Sequence, residues 1–380
     1  MHIVIINYAY DPAYSTGAAL LAHYYSLTEW AEALAGAGAQ VTVLQRYARD
    51  ERLEQAGVSY RLVGDRLRPS LAVYDIPFRL HQQAAQLAPT AVHLNGLCFP
   101  LQSLALRAQL PRKSALVAQH HAERPATSRG PRGLLLRALS RAALRQADGL
   151  LFTADELAQP WRAIGAIGKG QLVQLIPEAS TALAPMQYDE ARTRSGLHGD
   201  PALLWVGNLN SNKDPLTVLE GFARALPSLP SARLTMIYIE QTLLPQVRER
   251  ASKPDLAGRV ELRGRVAHAE MASYYSAADF FVLGSHRESC GYALFEALAC
   301  GATPLVTDIA AFRALTHSGA VGALWPPDDS AALATALVRV AGGERAAQRQ
   351  AASEHFAQHL SWQRVGQRAL VAYQEAMNRR

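Results

Sequence analysis

The segment Glu288-Ser-Cys-Gly-Tyr-Ala-Leu-Phe-Glu296-Ala-Leu-Ala-Cys-Gly-Ala-Thr-Pro-Leu-Val306 contains the pieces of a strand-and-helix unit. It starts as a polar loop, continues as an apolar helix over Ala293–Cys300 and ends in a β-rich run. Gly291 precedes the helix, where backbone N–H groups can face a phosphate. Glu296 interrupts the apolar helix, and a buried carboxylate needs a partner. We expect that partner to be either a pair of ligand hydroxyls or a structural backbone turn.

Short β-rich runs alternate with Ala/Leu-rich helical patterns along the rest of the chain, which predicts βαβ units with parallel sheets. In the first half the predicted strands are His2–Asn7, Gln40–Gln45, Ser59–Val63, Ala91–Asn95, Ala115–Gln119, Gly149–Thr153 and Leu172–Ile176. In the second half they are Leu203–Gly207, Arg233–Ile239, Arg259–Arg263, Phe280–Gly284, Thr303–Thr307 and Gly322–Trp325. The predicted helices include Ala18–Ala37, Pro215–Ala225, Leu244–Ala251, His268–Ala277, Ser330–Ala341 and Trp362–Arg380.

These elements predict an α/β chain of two Rossmann-like, doubly wound parallel-sheet domains that face a central cleft. We place the first domain at residues 1–183, the second at 184–361 and a separate C-terminal helix at 362–380. The polar stretch Ala184–Asp200 is interpreted as the linker. Ligands of such sheets bind at the carboxyl ends of the strands, so functional residues are expected in the loops that follow strands.

Composition narrows the classes of function. The chain has 380 residues, a 49% apolar and 18% charged composition and a formal charge of +6. No run approaches the roughly 20 apolar residues of a membrane span. The first residues are interpreted as a core strand and not as a signal peptide, because no basic region precedes their short apolar run and no small-residue cleavage site follows it. A cytoplasmic location is therefore expected. The arginines are not interleaved with aromatic side chains, which argues against nucleic acid as a partner.

Two further strand-to-helix loops could hold a phosphorylated ligand. The loop Asn7–Gly17 ends in a glycine before a helix, which suits either a phosphate or an ordinary turn. The loop Val206–Pro215 contains Asn208 and Lys213 before a helix that starts at proline. Lys213 is placed to neutralise a diphosphate, although an ordinary exposed lysine is the simpler interpretation.

A histidine pair, His120 and His121, follows a strand of the first half and stands near Glu123. Such residues could act in acid–base chemistry, bind a metal or be structural. No second His/Cys/Asp cluster has metal-ligand spacing, and the chain contains no D-x-D triplet. We therefore expect no metal and no other cofactor.

Together these segments resemble the retaining glycosyltransferase family 4, of the GT-B fold, over nearly the whole chain. Glu288 and Glu296 fit the E-x7-E segment of the family, and the Ala-Leu-Ala-Cys-Gly-Ala-Thr-Pro stretch that starts at Ala297 is a rarer match. The stretch Arg259–Val266 fits as well, and so does Ser361-Trp362 at the start of a helix that crosses back to the first domain in such folds.

The resemblance implies a role for each matching residue. His121 and Glu288 are the implied catalytic residues, on opposite sides of the transferred sugar, with His120 the weaker choice. Lys213 is implied to hold the donor diphosphate and Glu296 the ribose hydroxyls. The remaining implied donor-binding residues are Gly17, Asn208, Val266, Gly291, Tyr292 and Ala293. UDP is the expected nucleotide, and the acceptor is a glycan, a lipid-linked molecule or a small molecule.

One position departs from the family. Asn208 stands where the family places an arginine, and asparagine supplies neither a charge nor a bidentate fork. Either Arg124 or Arg287 substitutes for it, or the diphosphate is held more weakly. Because of this departure, a relative that binds a nucleotide or carbohydrate without catalysis is an alternative function. A nucleotide-sugar epimerase is a further alternative.

The stretch Arg129–Arg145 alternates arginines with leucines. This basic amphipathic pattern is typical of a peripheral membrane contact and equally of a surface helix that packs its leucines inward. We slightly favour the surface helix.

Overall fold

The computed structural model describes all 380 residues and divides into two compact units. Unit 1 comprises Met1–Ala179 together with Trp362–Arg380, and unit 2 comprises Ser180–Ser361. The chain therefore leaves its first unit, builds the second and returns.

Unit 1 is built on one eight-stranded sheet. Its strands are β1 (His2–Asn7), β2 (Gln40–Tyr47), β3 (Glu51–Gln55), β4 (Val58–Gly64), β5 (Ala91–Asn95), β6 (Ala115–Gln119), β7 (Gly149–Phe152) and β8 (Leu172–Leu175). They lie in the order β3-β4-β2-β1-β5-β6-β7-β8, and every neighbouring pair except β3–β4 is parallel. Ile3 and Ile5 of β1 belong to one apolar cluster, whereas Val4 and Ile6 belong to another. Both faces of the sheet are therefore buried, as a doubly wound fold requires.

Strand β3 was not predicted from the sequence. It pairs antiparallel with β4 through a tight turn at Ala56 and Gly57, whose φ angles of 49° and 77° suit a hairpin turn. Its sequence, Glu-Arg-Leu-Glu-Gln, is charged and largely exposed. A charged strand at the edge of a sheet protects it against pairing with other chains and leaves no hydrophobic pattern to detect.

The helices of unit 1 are α1 (Gly17–His23), α2 (Tyr25–Gly36), α3 (Phe78–Gln86), α4 (Pro100–Gln109), α5 (Pro131–Arg145), α6 (Asp155–Ala163) and, from the far end of the chain, α15 (Trp362–Asn378). The predicted single helix Ala18–Ala37 is wrong in one respect, because it is interrupted at Tyr24. Tyr24 has φ −89° and ψ 46°, outside the helical region. Its backbone N–H donates to the carbonyl oxygen of Leu20 and so ends α1.

Helix α15 completes the core of unit 1. The Nε1 of Trp30 donates a hydrogen bond to the hydroxyl of Tyr373 (3.2 Å), and this hydroxyl is hydrogen-bonded to Nδ1 of His93 (2.7 Å). All three side chains are buried. Burial, with a smaller contribution from His121, lowers the pKa of His93 to about 3, so this ring stays neutral.

Unit 2 contains a six-stranded, wholly parallel sheet. Its strands are β9 (Ala202–Gly207), β10 (Arg233–Tyr238), β11 (Val260–Gly264), β12 (Phe280–Leu283), β13 (Thr303–Thr307) and β14 (Ala323–Trp325), in the order β11-β10-β9-β12-β13-β14. Its helices are α7 (Tyr188–Ser195), α8 (Pro215–Ala225), α9 (Leu244–Ala251), α10 (His268–Ala277), α11 (Tyr292–Ala299), α12 (Ala310–Leu315), α13 (Ser330–Ala341) and α14 (Arg345–His355), followed by a π-helical turn at Phe356–Leu360.

The predicted linker Ala184–Asp200 is instead part of unit 2 and contains α7. This helix is fixed by Asp279, a buried carboxylate that accepts hydrogen bonds from the Tyr188 hydroxyl (2.9 Å) and from Arg192 (2.9 Å). The same carboxylate accepts the backbone N–H of Ala202 (2.7 Å). A polar sequence therefore packs firmly here because one buried acid satisfies several donors.

The fold class is confirmed, since both units are α/β with doubly wound parallel sheets. None of the helices is long and apolar enough to cross a membrane.

Candidate active site

The site in unit 2 lies where the strand order of its sheet reverses. From β9 the chain proceeds to β10 and β11 on one side, and from β12 to β13 and β14 on the other. Because β9 and β12 are parallel neighbours, the loops that follow them leave the sheet at the same edge. Such a switch point is where open α/β sheets bind ligands. Gly284, directly after β12, is tightly packed, since a Cβ would lie 3.0 Å from the carbonyl oxygen of Asp214.

Lys213 and Glu288, one from each of these loops, form an ion pair between Nζ and Oε1. Their side chains are 20% and 12% exposed, so both charges are largely removed from water. The backbone N–H of Lys213 is held by the carbonyl oxygen of Asn210 (3.2 Å) and by its side-chain oxygen (3.1 Å). Lys213, which the resemblance assigns to the donor diphosphate, therefore contacts Glu288, which it assigns to the transferred sugar.

Helix α11 begins at Tyr292, four residues after Glu288, and its N-cap residue is a glycine. Gly291 precedes its first residue with φ 77°, and no side chain caps the helix. A Cβ on Gly291 would lie 2.7 Å from Cε1 of Phe312, so only glycine fits. Tyr292 and Ala293 are the first two helical residues and are half-buried. The N–H groups of a first helical turn attract anions, and here that of Leu294 donates to the carbonyl oxygen of Gly291 (2.9 Å).

Glu296 accepts two hydrogen bonds, from the Tyr275 hydroxyl to Oε2 (2.8 Å) and from Nε2 of His268 to Oε1 (3.1 Å). Burial, with the charge of Glu296 as a second cause, raises the pKa of Tyr275 well above its ordinary value. Tyr275 is wholly buried, whereas the His268 side chain is 75% exposed. The carboxylate thus has a fixed structural partner on one oxygen and a displaceable partner on the other.

Asn208 follows β9 and carries no charge. Its side-chain oxygen accepts the backbone N–H of Glu240 at 3.4 Å. Arg287 is exposed beside Glu288, and its carbonyl oxygen accepts a hydrogen bond from Asn212 (3.1 Å). Arg124, the other arginine considered as a substitute for the missing charge, is exposed as well, and the choice between the two stays open. Val266 lies half-buried between β11 and α10.

A cluster that sequence spacing did not suggest lies next to Lys213. Nε2 of His286 is 3.5 Å from Oδ2 of Asp214 and 3.7 Å from Oδ1 of Asp328. Carboxylate and imidazole ligands of this kind could hold a divalent ion. The expected absence of a metal therefore stays a prediction.

In unit 1, Gly17 is close to a carboxylate of the protein itself. Its backbone N–H donates to Oε2 of Glu51 in β3 (3.3 Å), and Thr16 caps the same helix through Ala19 (3.2 Å). A Cβ on Gly17 would lie 2.6 Å from Cδ2 of Leu62. Packing explains this glycine whether or not a phosphate binds there.

His121 lies between two carboxylates after β6. Its Nδ1 is 3.0 Å from Oε2 of the buried Glu178, and its backbone N–H donates to Glu123 (2.6 Å). Burial alone would lower the pKa of His121, but the charges of Glu178 and Glu123 outweigh it, so the pKa lies above the ordinary value of 6.5. Glu123 also accepts the backbone N–H of Leu97 (2.8 Å) and so joins the loops after β5 and β6.

His120 is buried, and its ring stacks on Phe152 at 5.0 Å with Nε2 donating to the carbonyl oxygen of Glu123 (2.9 Å). These contacts are those of a structural residue. Sequence reasoning missed Glu178 and Glu51, since each is far along the chain from the residue it contacts and belongs to no motif.

Two regions of the chain match families of known proteins. Residues 25–179 match the family described as glycosyl transferase 4-like domain, and residues 200–342 match glycosyl transferases group 1. The D-inositol 3-phosphate glycosyltransferase of Thermobifida fusca is 30% identical over 252 residues, which are 62% of this chain and 57% of that relative. The glycogen synthase of Mycobacterium tuberculosis is 25% identical over 98% of this chain and 94% of its own.

Two solved structures are similar over 98% of this chain, each with a TM-score of 0.70. They are the sucrose-phosphate synthase of Thermosynechococcus elongatus (20% identity, 98% of that chain) and Anabaena HepE in complex with UDP (16% identity, 99% of that chain). At these identities the likeness concerns the fold, which is GT-B. Residues 25–179 are thus similar to a glycosyl transferase 4-like domain and residues 200–342 to a glycosyl transferases group 1 domain.

Proposed function

We propose that the chain transfers a sugar from a nucleoside-diphosphate sugar to an acceptor hydroxyl, with retention at the anomeric carbon and without a metal. The observation that carries the proposal is the pairing of Lys213 with Glu288 beside the uncapped start of α11. A lysine, a helix N-terminus that begins after a glycine and a carboxylate suit the two charges that the reaction develops.

The leaving diphosphate gains negative charge as the bond to the anomeric carbon breaks. Lys213 leaves Glu288 and pairs with this phosphate, assisted by the N–H groups at Gly291, Tyr292 and Ala293. Glu288, released from the lysine, stabilises the positive charge that develops on the sugar. The diphosphate departs on the same face as the entering hydroxyl, which yields retention, and its leaving oxygen accepts the proton of that hydroxyl.

The nucleoside is assigned to the neighbourhood of Glu296 and Val266. The Oε1 atom of Glu296 exchanges His268 for the ribose hydroxyls, while Oε2 stays fixed by Tyr275. UDP is the proposed nucleotide, in keeping with the UDP held by HepE. His121, oriented by Glu178, is proposed to hydrogen-bond the sugar.

The first experiment is a thermal-shift screen of UDP, GDP, ADP and their sugar conjugates, with and without magnesium. A ligand at a hundred times its Kd stabilises a protein by about 2.7 kcal/mol. We expect a shift with one nucleotide that magnesium does not change. A shift that requires magnesium would contradict the metal-free reaction and direct attention to Asp214, His286 and Asp328.

Retention is tested separately by NMR of the product. The anomeric coupling constant should show the same configuration as the donor sugar, and the inverted configuration would overturn this part of the proposal.

A binding-only protein is the second candidate, favoured by the uncharged Asn208. It predicts the same nucleotide shift but neither transfer nor hydrolysis of the donor. The variant Asn208→Arg separates the two, since it should strengthen nucleotide binding in either case but accelerate turnover only in an enzyme.

We also propose that the start of α5 contacts an anionic membrane surface, which would bring the enzyme to a lipid-linked acceptor. The favoured interpretation, leucines packed inward, is wrong for Leu134 and Leu135, which are 57% and 58% exposed. Arg129 and Arg132 are exposed beside them. By contrast, Arg137 donates to the carbonyl oxygens of residues 126 and 128 and has a structural role.

Co-sedimentation with phosphatidylglycerol vesicles at low salt tests this contact. We expect binding by the natural protein and loss of binding in Leu134→Ser/Leu135→Ser. Val338→Ser, which alters an exposed apolar residue of α13, serves as the control. Absence of binding by the natural protein would refute the proposal.

A further inference from the structure

Three histidines of unit 2 meet away from the loops described above. His317 follows α12, His355 is the last residue of α14, and His359 lies in the π-helical turn. Their ring centroids are 4.5 Å apart for His317 and His355, 4.8 Å for His317 and His359, and 5.2 Å for His355 and His359. One ring nitrogen of each lies within 4.8 Å of the other two.

The hydrogen bond of His355 defines the tautomer of its ring. His355 is only 7% exposed, and its Nε2 lies 2.7 Å from the carbonyl oxygen of Leu315. A carbonyl accepts only, so Nε2 carries the proton and Nδ1 keeps its lone pair. A histidine held in this way by a backbone carbonyl is the usual arrangement of a metal ligand.

The other two rings complete a ligand set from two elements. His355 and His359 are four residues apart, a spacing that places two side chains on one helical face. His317 comes from a loop in which it and Ser318 both have positive φ, 47° and 55°. Non-glycine residues adopt this region at a cost, so the surrounding structure must hold the loop in place.

The three imidazole ligands determine which metal ions the cluster can bind. Three imidazoles suit zinc and its transition-metal neighbours, whereas magnesium and calcium prefer oxygen ligands. Zinc–nitrogen distances of about 2.0–2.1 Å require the three nitrogens to approach one another somewhat. His317 and His359 are exposed and can make this adjustment, while the buried His355 stays fixed.

We propose that His317, His355 and His359 bind a zinc-class dication with water as a fourth ligand. The ion would join the loop after α12 to the end of α14, immediately before the chain leaves unit 2 at Ser361. This site is distinct from the donor site and stabilises the folded unit 2.

The test titrates full-length, chelator-treated protein with zinc in a competition assay, and with cobalt, whose visible absorption reports the geometry of the ligands. His317→Asn and His359→Ala each remove one ligand at an exposed position, and asparagine tolerates the positive φ of residue 317. His198→Ala, at an exposed histidine elsewhere in unit 2, is the matched control. The buried His355 is left unchanged, so that metal loss is not confused with misfolding.

We expect one equivalent of zinc with a Kd below roughly 100 µM and a weakening of at least about tenfold in each ligand variant. The melting temperature should rise with zinc in the natural protein and in His198→Ala, but not in the two ligand variants. The metal-free melting temperatures of all four proteins should agree. Weaker zinc binding by the natural protein, or unchanged binding in His317→Asn or His359→Ala, would overturn the proposal.

Discussion

The two units build the same kind of loop, a strand that leads through a glycine into a helix, yet they leave different groups available. In unit 1, the start of α1 is satisfied internally by Glu51 and Thr16. In unit 2, α11 starts at Gly291 without a side-chain cap, next to a lysine that is paired only with Glu288. The glycine is common to both loops and does not distinguish them. The two loops differ in their N-cap residue, since Thr16 supplies a capping oxygen to α1 whereas Gly291 has no side chain.

The largest effect is expected from the lysine of unit 2. Lys213→Ala removes the positive charge at the leaving phosphate and leaves Glu288 buried without its partner. We expect turnover of the donor to fall by about 10²–10³-fold, the usual effect of removing one group that stabilises developing charge. Steady-state kinetics with the true donor measure the loss, and Lys253→Ala, an exposed lysine of the same unit, is the control. Near-normal turnover would show that the phosphate lies elsewhere.

The two glycines should respond unequally to one added methyl group. Gly291→Ala combines a left-handed backbone with a contact against Phe312, for which we expect about 3 kcal/mol of lost stability. Gly17→Ala meets the more adjustable side chains of Leu62 and Glu51 and should cost about 1 kcal/mol. Urea unfolding of both variants checks the order, and equal losses would contradict the described packing.

The stability that the ion pair of His121 and Glu178 gives to unit 1 should depend on pH. Because the pKa of His121 is raised, its ion pair with Glu178 stabilises the fold fully below pH 6.5 and loses this contribution as the pH rises through the raised value. Glu178→Gln should therefore cost more stability at pH 6 than at pH 9, with a difference on the order of 1 kcal/mol. Urea unfolding at the two pH values measures it, and NMR titration should show a lower pKa for His121 in the variant. A pH-independent loss would mean that His121 stays neutral.

The smallest effect is expected from removing the negative charge of Glu51, which accepts the backbone N–H of Gly17. Glu51→Gln should reduce stability by only about 0.5 kcal/mol, since the charge interacts with one exposed helix end. If Gly17 takes part in donor binding, the same change removes a competing charge and should lower the Kd of the nucleotide by roughly two- to fivefold. Calorimetric titration measures this, and an unchanged Kd would exclude Gly17 from the donor site.

The sequence located the strands better than the helices. Nearly all strands were located to within two residues, because their apolar runs are buried between two layers of helices. Strand β3 and helices α3, α4, α6, α7, α12 and α14 were not predicted. Of these, β3 and α7 consist largely of charged and polar residues, and tertiary contacts hold them in place. The loops of the candidate site were found through glycine, lysine and glutamate. Their internal partners Glu51, Glu178 and Tyr275 were not, because contacts between residues distant in the chain leave no local pattern.

The return of the chain to unit 1 has a consequence for biosynthesis. The core around Trp30 and His93 closes only on Tyr373 of α15, which is synthesised after the whole of unit 2. At translation rates of about 5–20 residues per second, unit 1 waits roughly 9–36 s with this apolar surface uncovered, while unit 2 can already fold. The second half of the chain is thus expected to mature first on the ribosome, and the nascent first half is the part that chaperones would need to shield.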